Sequence, residues 1–129
     1  MKITKFRAWD KETSKMYEDD NIITTFNGEL EDVYVRRNNT VDELIDYKLM
    51  QYIGMKDESG KELYEGDIVK RIDRTPVARM YGQEVIGTIG FTKGSFVLNT
   101  PEGGYLMHNN RLDNLCSYEK IGNIYENEF

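Results

Sequence analysis

The sequence predicts a mainly β protein of the α+β class, a small barrel preceded by a hairpin-and-helix portion, and three observations carry that expectation. Apolar and polar residues alternate through most segments, the period-two pattern of half-buried strands. Glycine-containing turns separate those segments at short intervals, with Asn27-Gly28 and Lys93-Gly94 the clearest. Only one stretch, Val41 to Tyr47, carries a helix start signal.

The elements follow in order. Ile3 to Trp9 reads as a strand with Phe6 and Ala8 on one side and Lys5, Arg7 and Trp9 on the other. A polar turn from Asp10 to Lys15 leads to a return strand beginning at Met16 and Tyr17. Ile22 to Phe26 and Glu29 to Val35 flank Asn27-Gly28, whose tolerance of positive φ suits a two-residue type I′ hairpin. Thr40 can cap a two-turn helix over Val41 to Tyr47, with Glu43 answering it three residues later.

The pattern changes at Leu49, so the chain divides into an N-terminal portion, 1–48, and a C-terminal portion, 49–129, within one folding unit. Leu49 to Ile53 is a strand, Lys56 to Gly60 a polar turn, and Leu63 to Val69 another strand bent sharply at Gly66-Asp67. Val85 to Phe91 and Ser95 to Asn99 form a hairpin around Thr92-Lys93-Gly94. Tyr105 to His108 and Ile121 to Tyr125 complete the set, and five or six short strands at this spacing predict a small barrel. Arg71 to Gln83, with Pro76, Gly82 and three arginines, reads as a long exposed loop or a distorted hairpin.

Composition narrows the function classes. A chain of 129 residues buries roughly two-thirds of its unfolded surface without disulfides or metals. The single Cys116 makes no intrachain disulfide and fits a reducing compartment, so the expected location is the cytoplasm. No apolar run matches a signal peptide or a membrane span, so no membrane partner is expected. The formal charge of −6 repels nucleic acid and anionic lipid at long range.

Three blocks carry a family resemblance. They are Phe6 to Asp10, then Leu49 to Asp57 running on through Gly60 to Val69, and finally Ile121 to Asn127. In order and spacing the sequence resembles the YopX family of phage and prophage proteins. That resemblance implies an irregular N-terminal α+β portion followed by an SH3-like β-barrel, in a bacterial or phage cytoplasmic setting. It implies no reaction and supplies no catalytic residues.

The residues themselves offer little chemistry. His108 and Cys116 are too few to close a zinc site, and as a nucleophile pair they lack an orienting third group. Asp57, Glu58, Glu62, Glu65 and Asp67 cluster in the middle block, but Asp57 and Glu58 fall in a polar turn where Asp accepts backbone hydrogen bonds and Glu65-Gly66-Asp67 resembles a barrel-entry turn, so solvated turn acids fit better than a hydrolase or a hard-cation site. Gly82, Gly87, Gly90 and Gly94 form no phosphate-binding loop, and Gly122 marks a bulge or a close strand approach. The sequence therefore assigns no catalytic, cofactor-binding or metal-binding residue, and no cofactor.

Two surface features remain. Lys70, Arg71, Arg74 and Arg79, with Tyr81 beside them and Arg36-Arg37 as a possible extension, form a candidate patch for nucleic acid or a partner. Trp9 is a candidate interface anchor, with burial against the barrel as its plainer role, and only one of Phe6 and Trp9 is expected to face inward. The favoured expectation is a non-enzymatic accessory protein that self-associates or contacts an unknown host or phage protein. Nucleic-acid binding and an uncharacterised enzyme stand as alternatives.

Overall fold

The computed structural model describes residues 5–28, 30–73, 84–101, 103–107 and 116–126. They form twelve strands and one short 3-10 turn, Asp19–Asn21. The strands are β1 (Phe6–Asp10), β2 (Lys15–Tyr17), β3 (Ile22–Asn27), β4 (Leu30–Arg37), β5 (Thr40–Glu43) and β6 (Tyr47–Lys56), then β7 (Glu62–Tyr64), β8 (Asp67–Asp73), β9 (Glu84–Thr92), β10 (Ser95–Thr100), β11 (Gly103–Leu106) and β12 (Cys116–Asn123). The mainly β expectation holds. The chain divides into two compact units, one ending at Gln51 and one starting at Tyr52. β6 runs through the boundary, pairing with β1 in its first half and β7 in its second.

In the first unit β1 lies between β2 and β6, while β4 lies between β3 and β5. Alternation along β4 turns Val33 and Val35 inward, where they pack with Ala8, Tyr17, Ile22 and Leu44. Phe6 packs against this core, and Trp9, on the opposite side of β1, is half-buried. The β3–β4 hairpin forms as expected but one residue later. Asn27 pairs with Leu30, so the two-residue loop falls on positions 28 and 29, with Gly28 at φ +64° in its first place.

The expected helix over Val41 to Tyr47 is overturned. Thr40–Glu43 is an edge strand on β4, entered through a two-residue turn in which Asn38 adopts φ +51°. The Thr40 hydroxyl donates to the Arg37 carbonyl at 2.9 Å instead of capping, and the Leu44 N–H donates to the Val33 carbonyl at 2.8 Å. A two-turn helix is marginal alone, and here the ladder on β4 supplies the backbone partners.

In the second unit five antiparallel strands run β11-β10-β9-β8-β12. Leu63, Val69, Ile89, Leu98, Met107 and Tyr118 form its core, with Cys116 half-buried against them. The β9–β10 hairpin turns on Lys93 (φ +52°) and Gly94 (φ +81°), the paired positive φ values of a type I′ turn. The β8–β12 register shifts between Lys120 and Gly122, the bulge that Gly122 foreshadows.

Gly87 is a close approach. A Cβ there would stand 2.5 Å from the Asn99 carbonyl oxygen and 2.9 Å from Leu98 Cγ and Thr100 Cγ2. Gly87→Ala is expected to cost about 2 kcal/mol by overpacking, read as a lower urea midpoint with an unchanged m-value.

Candidate functional site

The acidic middle block builds a structural joint. Asp57 follows β6 and is 6% exposed, while Asp67 opens β8 and is fully buried. Asp57 accepts backbone hydrogen bonds in its turn as expected, but neither acid is solvated. Asp57 Oδ1 accepts from the Ser59 N–H (3.0 Å), the Ser59 hydroxyl (2.9 Å) and the Lys61 N–H (2.8 Å). Its Oδ2 accepts from the Lys120 N–H at 3.0 Å, tying the turn to β12. Burial pushes the Asp57 carboxyl up, but the donors from Lys120, Lys61 and Ser59 outweigh it and hold the group below its ordinary value.

Asp67 Oδ2 accepts from the Tyr64 N–H at 2.8 Å and lies 3.3 Å from Lys120 Nζ. Lys120 thus bridges both acids, through its backbone to one and its side chain to the other. Between them, Gly66 at φ +85° donates to the Ile89 carbonyl and accepts from the Ile124 N–H. Asp57, Gly66 and Asp67, distinctive in the sequence of this block, all serve the joint.

The basic patch is only partly described: Lys70 and Arg71 lie on β8, while Arg74, Arg79 and Tyr81 lie outside the described residues. Successive strand residues point to opposite faces, so Lys70 and Arg71 do not share one. Lys70 Nζ stands 4.0 Å from both Glu84 and Glu119. Arg71 stacks 4.9 Å above the Tyr105 ring and lies 3.5 Å from Asp73, and its buried Nε has no hydrogen-bond partner among the described residues. Burial works against the Arg71 charge, but Cys116, Tyr118 and Asp73 raise its pKa above the ordinary value. Burial and Cys116 push the Tyr118 phenol up, and Arg71 pulls it back. Both cations already face acidic or aromatic groups of this unit.

A groove in the first unit, about 550 Å³, is lined by residues that include Lys15, Tyr17, Glu18, Arg36 and Arg37. Sequence spacing noted Arg36-Arg37 but not their setting. Arg37 Nε donates to the Tyr17 hydroxyl at 3.1 Å, and its two Nη atoms reach Asp42 (3.3 Å) and Asp10 (3.4 Å). The bond to Tyr17 raises the Arg37 pKa, with those carboxylates adding to it. Asp10 also accepts from the Glu12 N–H and the Thr13 hydroxyl, closing the β1–β2 turn. This cluster, like the middle block, spends its charges internally.

His108 lies outside the described residues, so its distance from Cys116 is not part of this geometry. Among the described residues no group of three or more His, Cys, Asp or Glu side chains is arranged to hold a metal ion. Among them, too, no helix is long and apolar enough to cross a membrane.

With this geometry in place, the profile of the YopX protein family matches residues 5–128. The chain belongs to the YopX family. Protein YopX from Bacillus subtilis is similar in fold, with a TM-score of 0.67 at 18% identity, over 95% of this chain and 94% of that one. Protein EF1440 from Enterococcus faecalis matches with a TM-score of 0.55 at 22% identity, over 98% of this chain and 96% of that one. No curated protein matches the chain. YopX membership accounts for the three sequence blocks, and the joint formed by Asp57, Asp67 and Lys120 gives a physical reason for the middle one.

Proposed function

We propose that this YopX-family chain is a non-enzymatic phage or prophage accessory protein of the bacterial cytoplasm. It acts through protein contacts that include association with itself, and its C-terminal unit serves as an SH3-like barrel. One observation carries the reading. Large apolar side chains stand exposed on both units: Phe26, Val41 and Ile45 on the first, and Ile86, Phe91, Ile121 and Ile124 on the second. Apolar groups left exposed on strands and turns supply the anchors that a protein interface buries. The candidate acids and the described cations support the same reading, since they are engaged within the fold.

The test is solution mass by size-exclusion chromatography with light scattering at low and high salt, with the 260/280 nm absorbance ratio recorded. An oligomer free of nucleic acid is the expected result. A peak carrying nucleic acid that salt dissociates would overturn it in favour of the basic patch.

A further inference from the structure

We infer that β3 is a self-complementary edge, and that two copies of this chain join by pairing their β3 strands antiparallel about a two-fold axis at Thr25. The inference rests on the self-association reading and names its surface. Natural edge strands are blunted with charge, proline or bulges. β3, Ile22-Ile23-Thr24-Thr25-Phe26-Asn27, has none of these, and among the described residues it pairs only with β4, in unbroken register.

The ladder fixes which backbone groups are available. In a two-residue hairpin the closing pair, here Asn27 and Leu30, is hydrogen-bonded, so Asn27, Thr25 and Ile23 bond to β4. Ile22, Thr24 and Phe26 then turn their N–H and C=O groups to the free side. The Ile22 N–H agrees with this parity, since it donates to the Asp19 carbonyl and not to β4. Thr24 and Phe26 keep both groups for an incoming strand.

An antiparallel partner strand that preserves the faces of the sheet must pair residues of like parity. Centring the axis on Thr25 sets Thr24 opposite Phe26 of the second copy and Phe26 opposite its Thr24, so all four outward groups of these residues bond. A β-branched residue beside an aromatic is a favourable cross-strand pair. Phe26, 58% exposed and resting on Phe6 at a ring distance of 5.8 Å, gains cover on its open side. With no charge on the strand, no like charges oppose each other across the axis. An occupant from another protein would need to supply its own matching strand, whereas a second copy supplies it by symmetry.

The experiment is sedimentation of the full chain across subunit concentrations from about 10 µM to about 1 mM, the range suited to a small interface. Thr24→Pro removes an outward N–H without touching the β4 ladder, and Phe26→Glu adds charge at an exposed position. Each is expected to weaken the dimer about thirtyfold while circular dichroism and melting stay near wild type, since two backbone bonds are lost per dimer in the first case. In a Cys116→Ser background, Thr25→Cys is expected to give a disulfide-linked dimer on mild oxidation and Thr24→Cys far less, because only Thr25 faces itself. Oligomers of unchanged strength in both variants, or preferential crosslinking through Thr24→Cys, would overturn the β3 edge while leaving self-association standing. A wild-type monomer throughout the range would overturn both.

Discussion

Asp57→Asn is expected to cost about 3 kcal/mol of folding stability at neutral pH, because it breaks charge-assisted bonds to buried donors. An amide can keep Oδ1 facing Ser59 and Lys61, but its NH₂ then meets the Lys120 N–H, donor against donor. Asp57→Ala removes both acceptors and is expected to cost at least as much. The pH dependence has a definite sign. The folded carboxyl lies below its ordinary 3.8, so its contribution is complete above that value and is lost as pH falls through the folded pKa. Urea denaturation of wild type and Asp57→Asn should therefore show a constant gap between pH 5 and 7 that narrows below about pH 4. The same experiment bears on the enzyme alternative. Catalytic carboxylates are commonly replaced at little cost or even a gain in stability, so an unaltered midpoint would return Asp57 to the list of functional candidates.

How much of this was legible in the sequence depends on whether a signal was local. Turns at Gly28, Gly66 and Lys93-Gly94 can be read because positive φ selects residue types at single positions. The β3–β4 hairpin is visible, yet its loop sits one residue off, since Gly28 is accommodated either before or after the centre of the turn. The segment from Val41 to Tyr47 misleads because Thr40 and Glu43 imitate a capping box. Only Leu44 is buried, while Val41 and Ile45 are 57% and 80% exposed, so tertiary pairing with β4 decides the conformation. Asp57 shows the deeper limit. Its turn partners lie within four residues, but the donor that ties it to β12 is Lys120, 63 positions away. The available edge of β3 was likewise beyond the sequence, since it depends on which neighbours the strand lacks.

Asp67→Ala is the second large effect expected, about 3 kcal/mol, from removing one partner of a buried ion pair together with the acceptor of a buried N–H. The loss should divide unequally between its two components. Lys120 Nζ keeps a 3.5 Å contact with the Glu62 carbonyl and is 22% exposed on its side chain, so it recovers hydration. The Tyr64 N–H is buried and is bonded to Asp67 at 2.8 Å. Asp67→Asn, which keeps an acceptor for that N–H but not the charge, should therefore recover more than half of the loss. Lys120→Met tests the other side of the pair. It removes the counter-charge 3.3 Å from a carboxylate with no solvent access, so it is expected to destabilise more than Asp67→Asn does. If Lys120→Met proved harmless, the other contacts of Asp67 would suffice to hold its carboxylate. In that case Lys120 would serve the joint only through its backbone N–H to Asp57.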